Sequence, residues 1–221
     1  PRKICNKPLD YDTIDLNFIE ESYLPRTNFT PYDTDVFLEM IKSDEALKEW
    51  IDDYKIVFSR RLSLSGERTL QPAIAFESVS HVNSVISTRF DDNTKLIEFC
   101  GICSSIILDF YIKSIGRGDL YDFTIKELPL GVNKKFISSL TLRTLLLNCL
   151  GEHYKSLWES NWLDSFKFEE WSVNNIKLKP FKTLSKKYSG RIPLRNWYER
   201  RYALVEIDVI VAMAMNLTLE E

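Results

Sequence analysis

Cys100 and Cys103, separated by Gly101 and Ile102, have the spacing of a dithiol redox pair or of half a zinc site. A redox pair needs an exposed turn that stabilises a thiolate, whereas these two lie inside an apolar, helix-like run and read as buried core. Zinc needs further ligands, and the only histidines, His81 and His153, stand at no metal-like spacing from the pair. Four cysteines in 221 residues are too few for a disulfide scaffold, so Cys5, Cys100, Cys103 and Cys149 are expected to be thiols. Gly116-Arg117-Gly118 has the form of a phosphate-cradling loop, but it follows a helical run, which glycine would simply end. No nucleophile-base pair stands out.

Cations offer a different chemistry. From Lys177 to Arg201 there are nine basic residues against one acid, Glu199, a local charge of +8 that leaves −11 on the rest of a −3 chain. Such a stripe suits a polyanion, or it is a solvated loop. Tyr188 and Trp197 lie within it, placed either to stack on bases or to anchor the segment to a core. Arg60, Arg61 and Arg68 flank a turn between candidate strands, and Arg117 sits on the glycine loop, where its planar fork suits guanine O6 and N7. The alternative for Arg60 and Arg68 is an ion pair with Glu67 or Asp53.

The elements that position these groups are mixed. Residues 1–32, with four prolines, read as an irregular lead-in. Asp33 or Thr34 caps a helix running to about Asp53, striped by Val36, Phe37, Met40, Ile41, Leu47 and Trp50. Residues 54–58, 73–76 and 84–88 alternate as strands. A helix is expected from Asn93 to Ser114, an extended segment from Leu120 to Pro129, a helix from Lys134 to Tyr154, and a last helix from Leu194 to Met215 with Trp197, Leu204, Ile207, Val211 and Met215 on one face. The longest apolar stretch, Leu96 to Ile112, is interrupted by Glu98 and Asp109 and falls short of the roughly 20 residues of a membrane span. The N-terminus lacks signal-peptide character, which points to a cytoplasmic protein. Hydrophobic residues at 44% suffice for a core, giving an expected α+β fold of a small sheet with several packed helices. Thr218 and Glu221 form a capping box for a further helix, so the chain is expected to be part of a longer protein.

Four ordered signatures carry a resemblance. They are Tyr54 to Arg61 with Glu67-Arg68-Thr69 and Ala73-Ile74; Leu96 to Tyr111, closing on Asp109-Phe110-Tyr111; Gly116 to Leu120 leading into Phe123 to Pro129; and Tyr202 to Asp208 through Leu217 to Glu220. In that order they resemble the C-terminal target-recognition region of restriction-modification adenine methyltransferases. The resemblance implies a target-recognition-domain-like fold: a lead-in segment and helix at 1–53, the recognition domain at 54–175, and a basic segment with the C-terminal helix at 176–221. It also implies a non-catalytic module that grips double-stranded DNA beside an upstream methyltransferase or endonuclease domain of the same polypeptide. The chain has no Pro-Pro, so the family's Asn/Asp-Pro-Pro-aromatic element is absent, and S-adenosylmethionine, with magnesium if the parent also cleaves, belongs to the parent enzyme.

On this reading the DNA-facing residues are Arg60, Arg61, Arg68, Thr69, Arg117 and Lys126, with Lys186, Lys187, Arg191 and Arg195 touching phosphates. The alternative is a protein-docking module that uses the final helix and Trp158, Trp162 and Trp171.

Overall fold

Asp44 divides the first expected helix. In a computed structural model that describes residues 13–25, 31–218 and 220, α1 (Thr34–Ser43) is capped by Asp33 and α2 (Glu45–Asp52) by Asp44, whose carboxylate accepts from Leu47 N at 3.0 Å. An aspartate that bonds a nearby amide competes with continuous helix, and here it wins. Of the lead-in, Leu16–Phe18 forms a short 3₁₀ turn. Residues 1–12, with Cys5, and Glu221 of the expected capping box lie outside the described residues.

The three strands form where alternation places them. β1 (Lys55–Ser59) lies between β2 (Ala73–Ala75) and β3 (Val85–Arg89), both antiparallel to it, with Ile56 opposite Ile74 and Phe58 opposite Ile86. Lys55 is fully buried in this sheet, its Nζ 3.0 Å from Val79 O and 4.5 Å from the Trp50 ring centroid.

The expected helix at 93–114 is also two, α3 (Asn93–Cys103) and α4 (Ile106–Ile115). Ser104 and Ser105 turn their hydroxyls back to Cys100 O and Ile102 O, and Ser105 then caps α4. Gly116, at φ +68°, closes α4 in the left-handed conformation that glycine tolerates best.

Half of the extended segment expected at Leu120–Pro129 is instead helical. Asp119, just before it, bridges Arg61, Leu120 N bonds Arg60 O, and α5 (Asp122–Lys126) follows. Leu120, Ile125 and Leu128 are buried while Phe123 is exposed, a spacing that a strand does not produce. α6 (Lys134–Asn148) stops short of Tyr154 and is followed by a 3₁₀ turn, Glu152–Tyr154, and α7 (Lys155–Ser160). The chain then runs through two further 3₁₀ turns to α8 (Trp197–Ala214), capped by Asn196.

The result is an α+β architecture: a three-stranded antiparallel sheet packed with helices around one buried cluster that includes Ile56, Leu96, Leu145, Trp158, Phe181 and Ile207. That cluster draws on both segments set apart at residues 175 and 176. α3 meets α6 at Gly101, where a Cβ would sit 2.4 Å from Thr144 Oγ1. No described helix is long and apolar enough to cross a membrane.

Candidate nucleic-acid interface

The turn after β1 and the loop after α4 are brought together by backbone bonds. Leu62 N donates to Gly118 O at 2.9 Å and Leu120 N to Arg60 O at 2.7 Å, around the Arg61–Asp119 bridge. Arg60, Arg61 and Arg117, distant in sequence, therefore share one surface.

Two aromatics organise it. Tyr121 and Phe123 stack with ring centroids 5.4 Å apart and planes 7° from parallel, although both are partly exposed. Arg60 Cζ lies 5.5 Å from the Tyr121 centroid, and Arg117 Cζ lies 4.5 Å from that of Phe123. Each guanidinium is attracted to a ring face, which holds it near one orientation. Arg60 Nη1 also donates to Asn83 Oδ1. Arg61 is 91% exposed at its side chain, with Asp119 4.0 Å away as its partner. Positive charge, planar donors and exposed rings thus coincide on a surface whose chain also carries Asp119 and Asp122. Phe123 heads the third sequence signature, but sequence reading assigned neither Tyr121 nor Phe123 a contact; the aromatic pair just past a Gly-Arg-Gly loop was the available signal.

The other expected DNA contacts divide. Arg68 is corrected: its guanidinium makes two hydrogen bonds to Asp208, at 3.0 and 2.6 Å, and one to Ser104 O at 2.7 Å, with only 11% of the side chain exposed. Neither Glu67 nor Asp53 is its partner. Thr69 is corrected too, since it is buried and its amide donates to Asp109 Oδ1. Asp109 also accepts from Leu70 N at 2.8 Å and pairs with Lys113 at 2.7 Å, so the Glu67-Arg68-Thr69 turn is held from beneath. Lys126 is exposed and paired with Asp122, whose carboxyl that hydrogen bond holds below the usual range.

The late basic stripe resolves into two kinds of cation. Arg195 is corrected: it donates to the carbonyls of Gly190, Leu16, Ile19 and Leu150. Arg200 bonds Leu147 O and Leu194 O, and Lys179 bonds the carbonyls of Arg191, Ile192 and Pro193. Burial lowers the pKa of both Lys179 and Arg200. An irregular segment leaves carbonyls without ladder partners, and these cations satisfy them. Arg201 pairs with Glu67. Lys186, Lys187 and Arg191 remain exposed and form no ion pair among the described residues. They are anchored to the C-terminal end of α6, where Tyr188 Oη donates to Cys149 O at 3.0 Å and Leu194 N to Leu146 O at 2.9 Å. The arginine surface lies beyond the far end of β1, so the two groups rest on different elements.

Tyr188 anchors its segment and is buried, while Trp197 is 77% exposed. Trp158 is fully buried, with Nε1 donating to Ser185 O, and Trp162 and Trp171 are half-buried against the core. Cys100, Cys103 and Cys149 are free and buried, and desolvation pushes the Cys100 thiol up to about 12. Among the described residues no group of three or more His, Cys, Asp and Glu side chains is arranged to hold a metal.

Comparison of the chain with protein-family models, curated proteins and solved structures finds no match.

Proposed function

We propose that this chain is a sequence-specific duplex-DNA recognition module that performs no catalysis itself. The observation that carries the reading is the convergence of Arg60, Arg61 and Arg117 on one surface, two of them over the rings of an exposed aromatic pair. Arginine is suited to such work because its fork meets both phosphates and base edges bidentately. Lys186, Lys187 and Arg191, exposed on a second element, add phosphate contacts that strengthen binding without reading sequence. The motif order supports a role beside an adenine-methyltransferase domain, in a cytoplasm, with S-adenosylmethionine and base flipping assigned to that domain. Arg68, Thr69 and Arg195 have no part in the proposed contact.

Fluorescence anisotropy of the chain with a labelled duplex, titrated at two salt concentrations, tests this. Affinity should fall steeply with salt, about 0.9 in logarithmic slope per phosphate engaged. An affinity indifferent to salt, or none, overturns the reading.

A docking role has its own support. α8 exposes Trp197, Val205, Val209 and Met213 along one side, and a groove of about 570 Å³ runs between it, Phe136 and the 169–172 loop. Self-association or partner capture that persists in a Val205→Glu/Val209→Glu variant counts against it.

A further inference from the structure

We infer that Arg60 and Arg117 are the base-reading residues of this surface, each directed to a guanine, and that the two guanines lie within about four base-pair steps of one another. This rests on the DNA-recognition reading above.

Three features distinguish these two from the other exposed arginines. First, each lies over a ring, Arg60 over Tyr121 and Arg117 over Phe123, and the rings are stacked on each other. The attraction of each cation to its ring narrows the positions the guanidinium can take, so part of the ordering that base recognition needs is met before DNA arrives. Arg61 and the late lysines have no such support and suit phosphates. Second, Arg60 spends Nη1 on Asn83, which leaves Nε and Nη2, the edge that can make two parallel bonds. Among the described residues Arg117 makes no hydrogen bond or ion pair and keeps all its donors. Third, the chemistry of the surface selects the base. Guanine, with O6 and N7, is the bidentate partner of arginine; adenine pairs with Asn or Gln, and cytosine with a carboxylate. The amide here, Asn83, already holds Arg60, and the acid, Asp119, faces Arg61.

Spacing follows from the stack. The separations of 5.5, 5.4 and 4.5 Å add along the run from Arg60 to Arg117, so the two guanidinium carbons are at most about 15 Å apart. At about 3.4 Å per step, that separation is about four steps of duplex, and the guanines are as far apart when each arginine bonds the base directly opposite it.

The test is selection from a randomised duplex pool by the full chain, followed by anisotropy with the enriched sequence. Two guanines should be enriched no more than four steps apart. Arg117→Leu should erase enrichment at one of them and Arg60→Leu at the other, while affinity for random duplex falls only by the loss of one cation in each case. Replacing either guanine by 7-deazaguanine, which lacks N7, should weaken binding about tenfold. Circular dichroism of both variants establishes that they are folded. Salt-dependent binding without guanine enrichment, or enrichment that survives both leucine variants, overturns this inference and leaves the DNA-recognition reading standing. Absence of salt-dependent binding by the unaltered chain overturns both.

Discussion

Arg68 and Asp208, 140 residues apart in the chain, are joined by two parallel hydrogen bonds, and the same carboxylate accepts from Ile106 N at 2.8 Å. One aspartate thereby ties the turn after β1, the start of α4 and the middle of α8. Together with Asp109 beneath Thr69, it joins three of the four sequence signatures into a single structural lock. The Arg61–Asp119 bridge brings in the fourth.

Breaking this lock should be costly. Asp208→Ala leaves a mostly buried guanidinium without its countercharge and should destabilise the fold by about 3–5 kcal/mol in urea unfolding. The double variant Arg68→Met/Asp208→Leu should recover much of that loss, since replacing a buried pair with apolar groups is often near neutral. Where folded, it should bind DNA as tightly as the unaltered chain; a large loss of affinity would return Arg68 to the interface.

Gly101 is where α3 packs tightly against Thr144 and Leu140 of α6. Gly101→Ala drives a methyl against Thr144 Oγ1 and Leu140, at 2.4 and 2.8 Å, and should cost about 1–3 kcal/mol. Gly118, with nothing within 4 Å of its would-be Cβ, is the control: Gly118→Ala should stay within about 0.5 kcal/mol. Equal urea midpoints for the two variants would contradict the packing described.

Lys55 should make stability rise with pH. Burial lowers its pKa from 10.5 to about 8, so between those values the unfolded chain keeps a proton that the folded chain has released. The folded state therefore gains on the unfolded one as pH climbs from about 8 to 10.5. A Lys55→Met variant should lack this increment, and the difference between the two unfolding curves across that range isolates it from tyrosine ionisation.

The late cations should separate by role. Replacing Lys186, Lys187 and Arg191 with glutamine should flatten the salt dependence of DNA binding, by about 0.9 in logarithmic slope for each phosphate no longer neutralised, while leaving thermal stability unchanged. Arg195→Gln should do the reverse, lowering the melting temperature because four carbonyls lose their donor. An Arg195 variant as stable as the parent would show those bonds to be dispensable.

Much of the architecture was legible locally. The β-strands at 55–59, 73–75 and 85–89 follow from period-two alternation, and α6 and α8 from three-four spacing. Misreadings fell where a short polar side chain captured its own backbone. Asp44 and the Ser104–Ser105 pair each divided one expected helix, and the span from Leu120 to Pro129 hid a one-turn helix behind aromatic, strand-like composition. On the surface, Arg60, Arg61 and Arg117 were visible as candidates, whereas Tyr121 and Phe123 gained meaning only when folded against them.

By itself, the sequence determined which segments bury themselves and where charge accumulates, because hydrophobic periodicity and net charge are properties of neighbours along the chain. Tertiary structure decided which cations are free. Arg68, Arg195 and Arg200 look like Arg61 and Arg191 in the sequence, but carbonyls and carboxylates from remote segments claim them. A guanidinium's availability depends on what lies within about 3 Å of it, and the residues that satisfy it are set by packing between segments far apart along the chain.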